Sequence, residues 1–163
     1  MANLNSLQDL FVEQLQDLYD AEQQLTEALP KMAKAASNPQ LQQAFTSHLK
    51  ETQGHVDRLA QVFQIIGKKA TRKTCKAMKG LVEEGSEAIK EDAVPEVKDA
   101  ALISAGNRVE HYEIAGYGTV RTFAEELGFT DAARLLQQTL NEEVAADQKL
   151  TQIAERRVNR QAQ

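Results

Sequence analysis

The sequence predicts an all-α bundle of four long helices, with a shorter fifth helix crossing between two helical hairpins. Three features carry this prediction. Gly and Pro are scarce, eight and three in 163 residues, while Ala, Leu, Gln, Glu and Lys, the good helix formers, are abundant. Apolar residues recur at three-and-four spacing over long stretches, with no strand-period alternation of useful length. The few breakers fall in two short connectors and one long one.

The first helix, about 6–36, begins where Asn5 or Ser6 can cap free N–H groups. Leu7, Phe11, Leu18, Leu25 and Leu29 form its apolar stripe, and Pro30 is expected to kink or shorten it. The turn at 35–39 offers Asn38 as a cap and Pro39 as a first helical residue. The second helix, about 39–66, carries Leu41, Phe45, Leu59, Val62 and Ile66, and Gly67 ends it. Lys68 to Lys73 reads as a solvated basic loop, after which Thr74 caps a short helix over 74–91. Pro95 opens a third long helix to about 127, stopped by Gly128. Thr130 is then the expected cap of a fourth long helix running to about 158.

Helices of about 25 residues measure about 37 Å at 1.5 Å per residue. The connectors at 35–39 and 128–130 make antiparallel hairpins of the first and last pairs. The segment of about 28 residues between the pairs is long enough to run the length of a bundle of this size. Two hairpins joined by one lengthwise crossover is ferritin-like wiring. The length suits a single domain, 1–163.

Composition narrows the function. Nineteen Lys and Arg against 24 Asp and Glu give a net charge of −5, which argues against a nucleic-acid partner. The lone Cys75 excludes an intramolecular disulfide and cysteine-based metal knuckles. No apolar run approaches membrane-spanning length, and the start Met1-Ala-Asn-Leu-Asn-Ser lacks a signal-peptide pattern. A cytoplasmic protein without a membrane partner is expected.

Polar residues on the apolar stripes carry the chemistry. Glu22 replaces a leucine in the series Leu18, Glu22, Leu25, Leu29. On the second helix, Leu41, Phe45, His48, Thr52, His55, Leu59 brings two histidines inward, with Glu51 beside both. Glu110, Glu113 and Tyr117 share a side of the third long helix, and Glu143 and Asp147 lie mid-stripe on the fourth. A buried ionised carboxylate is costly unless paired, hydrogen-bonded or metal-bound. All four helices contribute at similar depth, and Arg108 and Arg121 can balance two acids at most. Metal ions would balance the rest, and oxygen donors with imidazole suit iron or manganese.

The segments Leu18-Tyr-Asp-Ala-Glu22, His48-Leu-Lys-Glu51, Val109-Glu-His-Tyr-Glu-Ile-Ala-Gly-Tyr117 and Asn141-Glu-Glu143 resemble those of the YciE/YciF-type stress proteins, a bacterial branch of the ferritin-like superfamily. The resemblance spans nearly the whole chain. It implies a dinuclear centre of two iron ions, or manganese or a mixed pair, with ferroxidase-like consumption of oxygen or peroxide. By position it implies Glu51 and Glu143 as bridges, Glu22 and Glu110 as terminal ligands, and Glu113 as an extra carboxylate. The usual Glu-x-x-His pattern is interrupted by Gly54 and Ala146, so His55 or His48 would supply imidazole, and Asp147 another carboxylate. Tyr117, near the proposed centre, reads first as a packing residue with a satisfied hydroxyl and second as a donor to a ligand carboxylate, and no catalytic residue is expected beyond the ligands. A homodimer is expected, since symmetric pairs are the commonest oligomer. The rival readings are a structural or partner-binding bundle whose acids pair with Arg121, His48 and His55, and a purely structural metal.

Overall fold

The computed structural model describes residues 4–163, and the reading of Met1 to Asn3 lies outside them. Four long helices, α1 (Leu7–Ala35), α2 (Pro39–Ile65), α4 (Pro95–Glu126) and α5 (Thr130–Ile153), form the bundle, and α3 (Lys76–Lys90) lies in the crossover. The all-α, ferritin-like prediction holds. α1 packs on α2 and α4, and α5 packs on α4 and α2, so α2 and α4 face each other diagonally. α3 rests on α1 and α4.

Two long-range contacts set the direction of travel. Asp99, near the start of α4, accepts the Ser37 and Asn38 N–H groups, each at 2.8 Å. The α4 start therefore adjoins the α1–α2 turn. At the other end, Phe129 of the α4–α5 turn stacks on Phe11 of α1 with ring centroids 6.2 Å apart. The crossover must then run the full length of the bundle.

Most helix boundaries follow the expected chemistry. Ser6 caps α1, its Oγ accepting the Asp9 N–H at 3.1 Å. Asn38 Oδ1 accepts the Gln40 N–H at 2.9 Å, with Pro39 following as first helical residue. Gly67 and Gly128 take left-handed φ of 67° and 77° and end α2 and α4.

Four expectations need correction. Pro30 does not shorten α1, which continues to Ala35 because Leu29, Met32 and Ala36 are locked in the core. The α3 cap is Cys75 rather than Thr74: Asp20 takes the Cys75 N–H at 2.8 Å, and Cys75 Sγ accepts that of Met78 at 3.3 Å. Thr130 is the first residue of α5, not its cap, because Phe129 is held by its N–H bond to Ala124 O at 2.8 Å. The last helix does not run unbroken to 158. It changes to a π-helical turn at Ala154–Val158, which keeps Ala154 and Val158 buried, and then to a short α6 (Asn159–Gln161).

The basic segment before α3 is also less free than a solvated loop. Arg72 pairs with Asp20 at 2.9 Å, Lys73 with Glu13 at 2.5 Å, and Gln16 donates to Thr71 at 2.7 Å. Glu13, Gln16 and Asp20 share one face of α1 at three-and-four spacing, which makes that face a track for the strap.

The core is divided in two. One apolar cluster gathers Leu25, Met32, Leu41, Phe45, Met78, Leu102 and Leu150 at the α1–α2 turn end. The second gathers Phe11, Leu15, Leu59, Phe63, Val120 and Leu136 at the opposite end. Gly106 and Gly116 let α4 approach closely: a Cβ there would meet Leu150 at 2.8 Å and Leu18 at 2.7 Å. Buried polar residues, among them Glu22, His48, Thr52, His55, Glu110, Glu113, Thr139 and Glu143, occupy the middle of the bundle where the two clusters meet.

Asp20 offers a test of the strap. Burial pushes its carboxyl up, but the bonds from Cys75 N–H, Gln24 and Arg72 outweigh this and hold it below the usual range. Its contribution is then complete above the unfolded carboxylate value and lost as pH falls through the lower folded value. Asp20→Asn is expected to cost about 1–3 kcal/mol at neutral pH and to weaken the loss of stability toward acid. Urea unfolding at pH 7 and pH 3 checks this; equal acid sensitivity in both proteins would remove Asp20 from the account.

Candidate metal centre

Each helix brings its part of the centre from a helical stripe. Glu22 comes from α1, His48 and His55 from α2, Glu110 and Glu113 from α4, and Glu143 from α5. Glu22, His55, Glu113 and Glu143 have no exposed surface, and Glu110 and His48 are almost fully enclosed.

Their donor atoms converge as two groups. His48, Glu110, Glu113 and Glu143 each offer an atom, all within 4.8 Å of one another. Glu22, His55 and Glu143 form the second group on the same criterion. Glu143 belongs to both. Within the groups His48 Nε2 lies 3.2 Å from Glu110 Oε1 and 3.5 Å from Glu143 Oε2. His55 Nδ1 lies 2.9 Å from Glu143 Oε1 and 3.3 Å from Glu22 Oε1.

These approaches are not hydrogen bonds in direction. His48 Nε2, His55 Nδ1, Glu22 Oε2, Glu110 Oε2 and both oxygens of Glu113 and of Glu143 are buried without a hydrogen-bond partner. Eight orphaned donor atoms in one place require an explanation. A shared cation needs lone pairs aimed at a common point rather than at one another. The donor set, four carboxylates and two imidazoles, suits iron or manganese.

The outer nitrogens of both histidines are engaged. His48 Nδ1 donates to Glu51 at 3.1 Å, and His55 Nε2 donates to Glu142 at 2.8 Å. Carboxylates only accept, so each outer nitrogen carries hydrogen, and in the neutral ring the inner nitrogen is left with a lone pair facing the centre. Glu142 is itself gripped by Arg58, at 3.0 Å and 3.2 Å, and Arg58 also donates to Thr139 at 2.5 Å. Tyr117 donates to Glu22 Oε1 from inside the cluster at the far end.

Without metal the centre is electrostatically uneasy. Burial, and then the neighbouring carboxylates, push Glu110 and Glu113 well above the usual range. Burial raises Glu22 too, against the pull of His55. Burial alone would lower His55, but Glu143 and Glu22 drive it up to about 10. Burial and the surrounding acids keep the Tyr117 hydroxyl protonated. Glu142 is held low by Arg58 and His55 despite burial, and Glu51 is held low first by His48.

Six of the predicted residues thus come together: Glu22, His48, His55, Glu110, Glu113 and Glu143. The structure sets two apart. Glu51 is half exposed on the outer side of His48, and Asp147 takes the Asn107 amide at 2.6 Å and the exposed His111 at 3.3 Å. Arg121 pairs with Glu125 at 2.9 Å rather than with an inward acid. Glu142 and Arg58 escaped the sequence reading. The available signal was Arg58 three residues after His55, on the same side of α2, but it needs the α2–α5 contact to mean anything.

The family described as a domain of unknown function, DUF892, matches residues 6–163. The chain belongs to the DUF892 family. Among DUF892 relatives, Protein YciF of Escherichia coli K12 is 50% identical over 162 residues, 99% of this chain and 98% of YciF. The crystal structure of the E. coli stress protein YciF superposes with a TM-score of 0.92 at 51% identity, covering 95% of this chain and 98% of that one. YcfI of Rhodopseudomonas palustris follows at a TM-score of 0.89 and 48% identity, over 91% and 95% of the two chains. The resemblance to YciE/YciF-type proteins is borne out. No helix among the described residues is long and apolar enough to cross a membrane.

The orphaned groups predict a trade between stability and site chemistry in this DUF892 chain. Thr52 is buried between the two histidines with no partner for its hydroxyl, whereas Thr46, Ser86 and Thr119 all bond the carbonyl one turn back. Thr52→Val and Glu113→Leu are each expected to stabilise the metal-free protein by about 1–3 kcal/mol. Thermal melts in chelator check this; destabilisation by both would mean that these groups serve the fold.

Proposed function

We propose that the chain is a dinuclear metal protein that consumes an oxidant, oxygen or peroxide, as part of a stress response in the cytoplasm. Two iron ions are the first candidates, with manganese or a mixed pair as alternatives. The observation that carries this reading is the set of eight orphaned donor atoms in two groups sharing Glu143. The description of the E. coli YciF structure as that of a stress protein supports the physiological part.

One ion would be held by His48, Glu110, Glu113 and Glu143, and the other by Glu22, His55 and Glu143. Four carboxylates offset the charge of two divalent ions. When bound, the pair supplies Lewis acidity and redox change toward oxygen or peroxide. The remaining residues orient and insulate. Glu51 acts through His48 and Glu142 through His55, each fixing a ring so that its inner nitrogen faces the centre. Tyr117 fixes Glu22. The two apolar clusters shut out water at both ends. Dimerisation through a helical face belongs to the same proposal. Val94 and Val97, exposed apolar residues at the α4 start, support it, and sedimentation equilibrium tests it.

Chelator-stripped protein titrated anaerobically with Fe(II) is expected to bind about two ions per chain, as a dinuclear site requires. Glu143→Ala, checked for helicity, should lose both, because it serves both groups. Absence of saturable binding would defeat the dinuclear reading. Glu51→Ala and Glu142→Gln should weaken binding about 10–100-fold without changing its stoichiometry. Loaded protein should develop near-ultraviolet absorption of oxidised metal with oxygen or peroxide. Binding without that change would favour a purely structural metal.

A further inference from the structure

A cavity of about 140 Å³ opens between α2 and α5 and reaches the His48 and Glu110 side of the centre. Glu22 and His55, on the other side, do not line it. Phe45, Ala146 and Leu150 give it an apolar side, Glu51 and Glu142 line it nearer the surface, and the exposed Lys149 lines it as well. The space has a visible origin. Ala146 stands three residues after Glu143, where a Glu-x-x-His helix would place an imidazole, and the small side chain leaves room beside the donors.

We infer that this cavity seats a short-chain monocarboxylate, its carboxylate toward the metal position at His48 and Glu110 and its chain against Phe45, Ala146 and Leu150. This rests on the dinuclear reading above. Size sets the chain length: an apolar cavity of about 150 Å³ holds benzene, so about four or five carbons fit. Polarity sets the orientation, since the donor atoms lie at the inner end and hydrocarbon lines one side. Charge permits an anion. Two divalent ions would offset the four buried carboxylates, and the other acids on the lining are engaged, Glu51 with His48 and Glu142 with His55 and Arg58. Lys149 adds a positive group where the chain enters. Four protein groups on one ion and three on the other leave open positions for an oxygen donor, since iron and manganese take up to six ligands.

The test uses full-length protein loaded with Mn(II), followed by water-proton relaxation and the Mn(II) electron paramagnetic resonance spectrum. Acetate, propanoate, butanoate, pentanoate and octanoate are titrated in turn. The response should tighten about fourfold per added methylene up to about five carbons, the gain expected for a buried CH₂, and fall off at octanoate. Ala146→Leu should keep both Mn(II) ions and lose the response. Ala145→Leu, at an exposed position on the rim, provides a second block that spares the core. Lys149→Ala should weaken binding several-fold. Two bound Mn(II) ions with no carboxylate response, or a response indifferent to chain length and to both blocking variants, would overturn the inference and leave the dinuclear reading standing. Failure to bind Mn(II) or Fe(II) at all would take down both.

Discussion

The burial of four carboxylates in the middle of a helical bundle is the constraint on which the rest of this structure depends. Glu22, Glu110, Glu113 and Glu143 cannot all ionise in a dry interior without compensation, and among the described residues the nearby bases that face them are two imidazoles. The surroundings are arranged to hold this unfavourable set in place. Apolar clusters close the bundle at both ends, glycines bring α4 against α5 and α1, and hydrogen bonds outside the centre fix the rings whose inner atoms are left free. The arrangement is one that cations could relieve, as the proposed dinuclear reading requires.

Occupied and empty forms would differ in where their protons sit. In the empty form burial and the neighbouring acids favour protons on Glu110 and Glu113, and Glu143 and Glu22 favour one on His55. Ions entering the same space must displace those protons. Loading would thus be an exchange of one kind of positive charge for another within a fixed frame. Glu142, held low by Arg58 and His55, and Glu51, held low first by His48, accept from the outer nitrogens and keep the rings aligned.

The fold was largely legible in the sequence because its evidence is periodic and local. The stripes, the Asn38–Pro39 start and the glycine stops each speak through neighbouring residues. The inward polar residues were legible for the same reason: Glu22, His48, His55, Glu110 and Glu143 interrupt apolar series. What could not be read depends on residues far apart in the chain. Cys75 is a cap because Asp20, 55 residues earlier, takes its N–H. Glu142 is part of the site because α5 packs on α2, which places Arg58 and His55 against it. Glu51 lies at the edge of its stripe, where helical spacing alone does not separate facing the centre from backing a ring that faces it. The continuation of α1 past Pro30 likewise reflects tertiary burial overriding local preference.

The division of the core into two apolar clusters has an evolutionary consequence. Each end of the bundle is closed by its own contacts, Asp99 with the α1–α2 turn at one end and Phe11 with Phe129 at the other. Neither closure uses a residue of the centre. On the proposed reading the middle layer would be a cassette: its donors could be exchanged one at a time without touching the contacts that close either end.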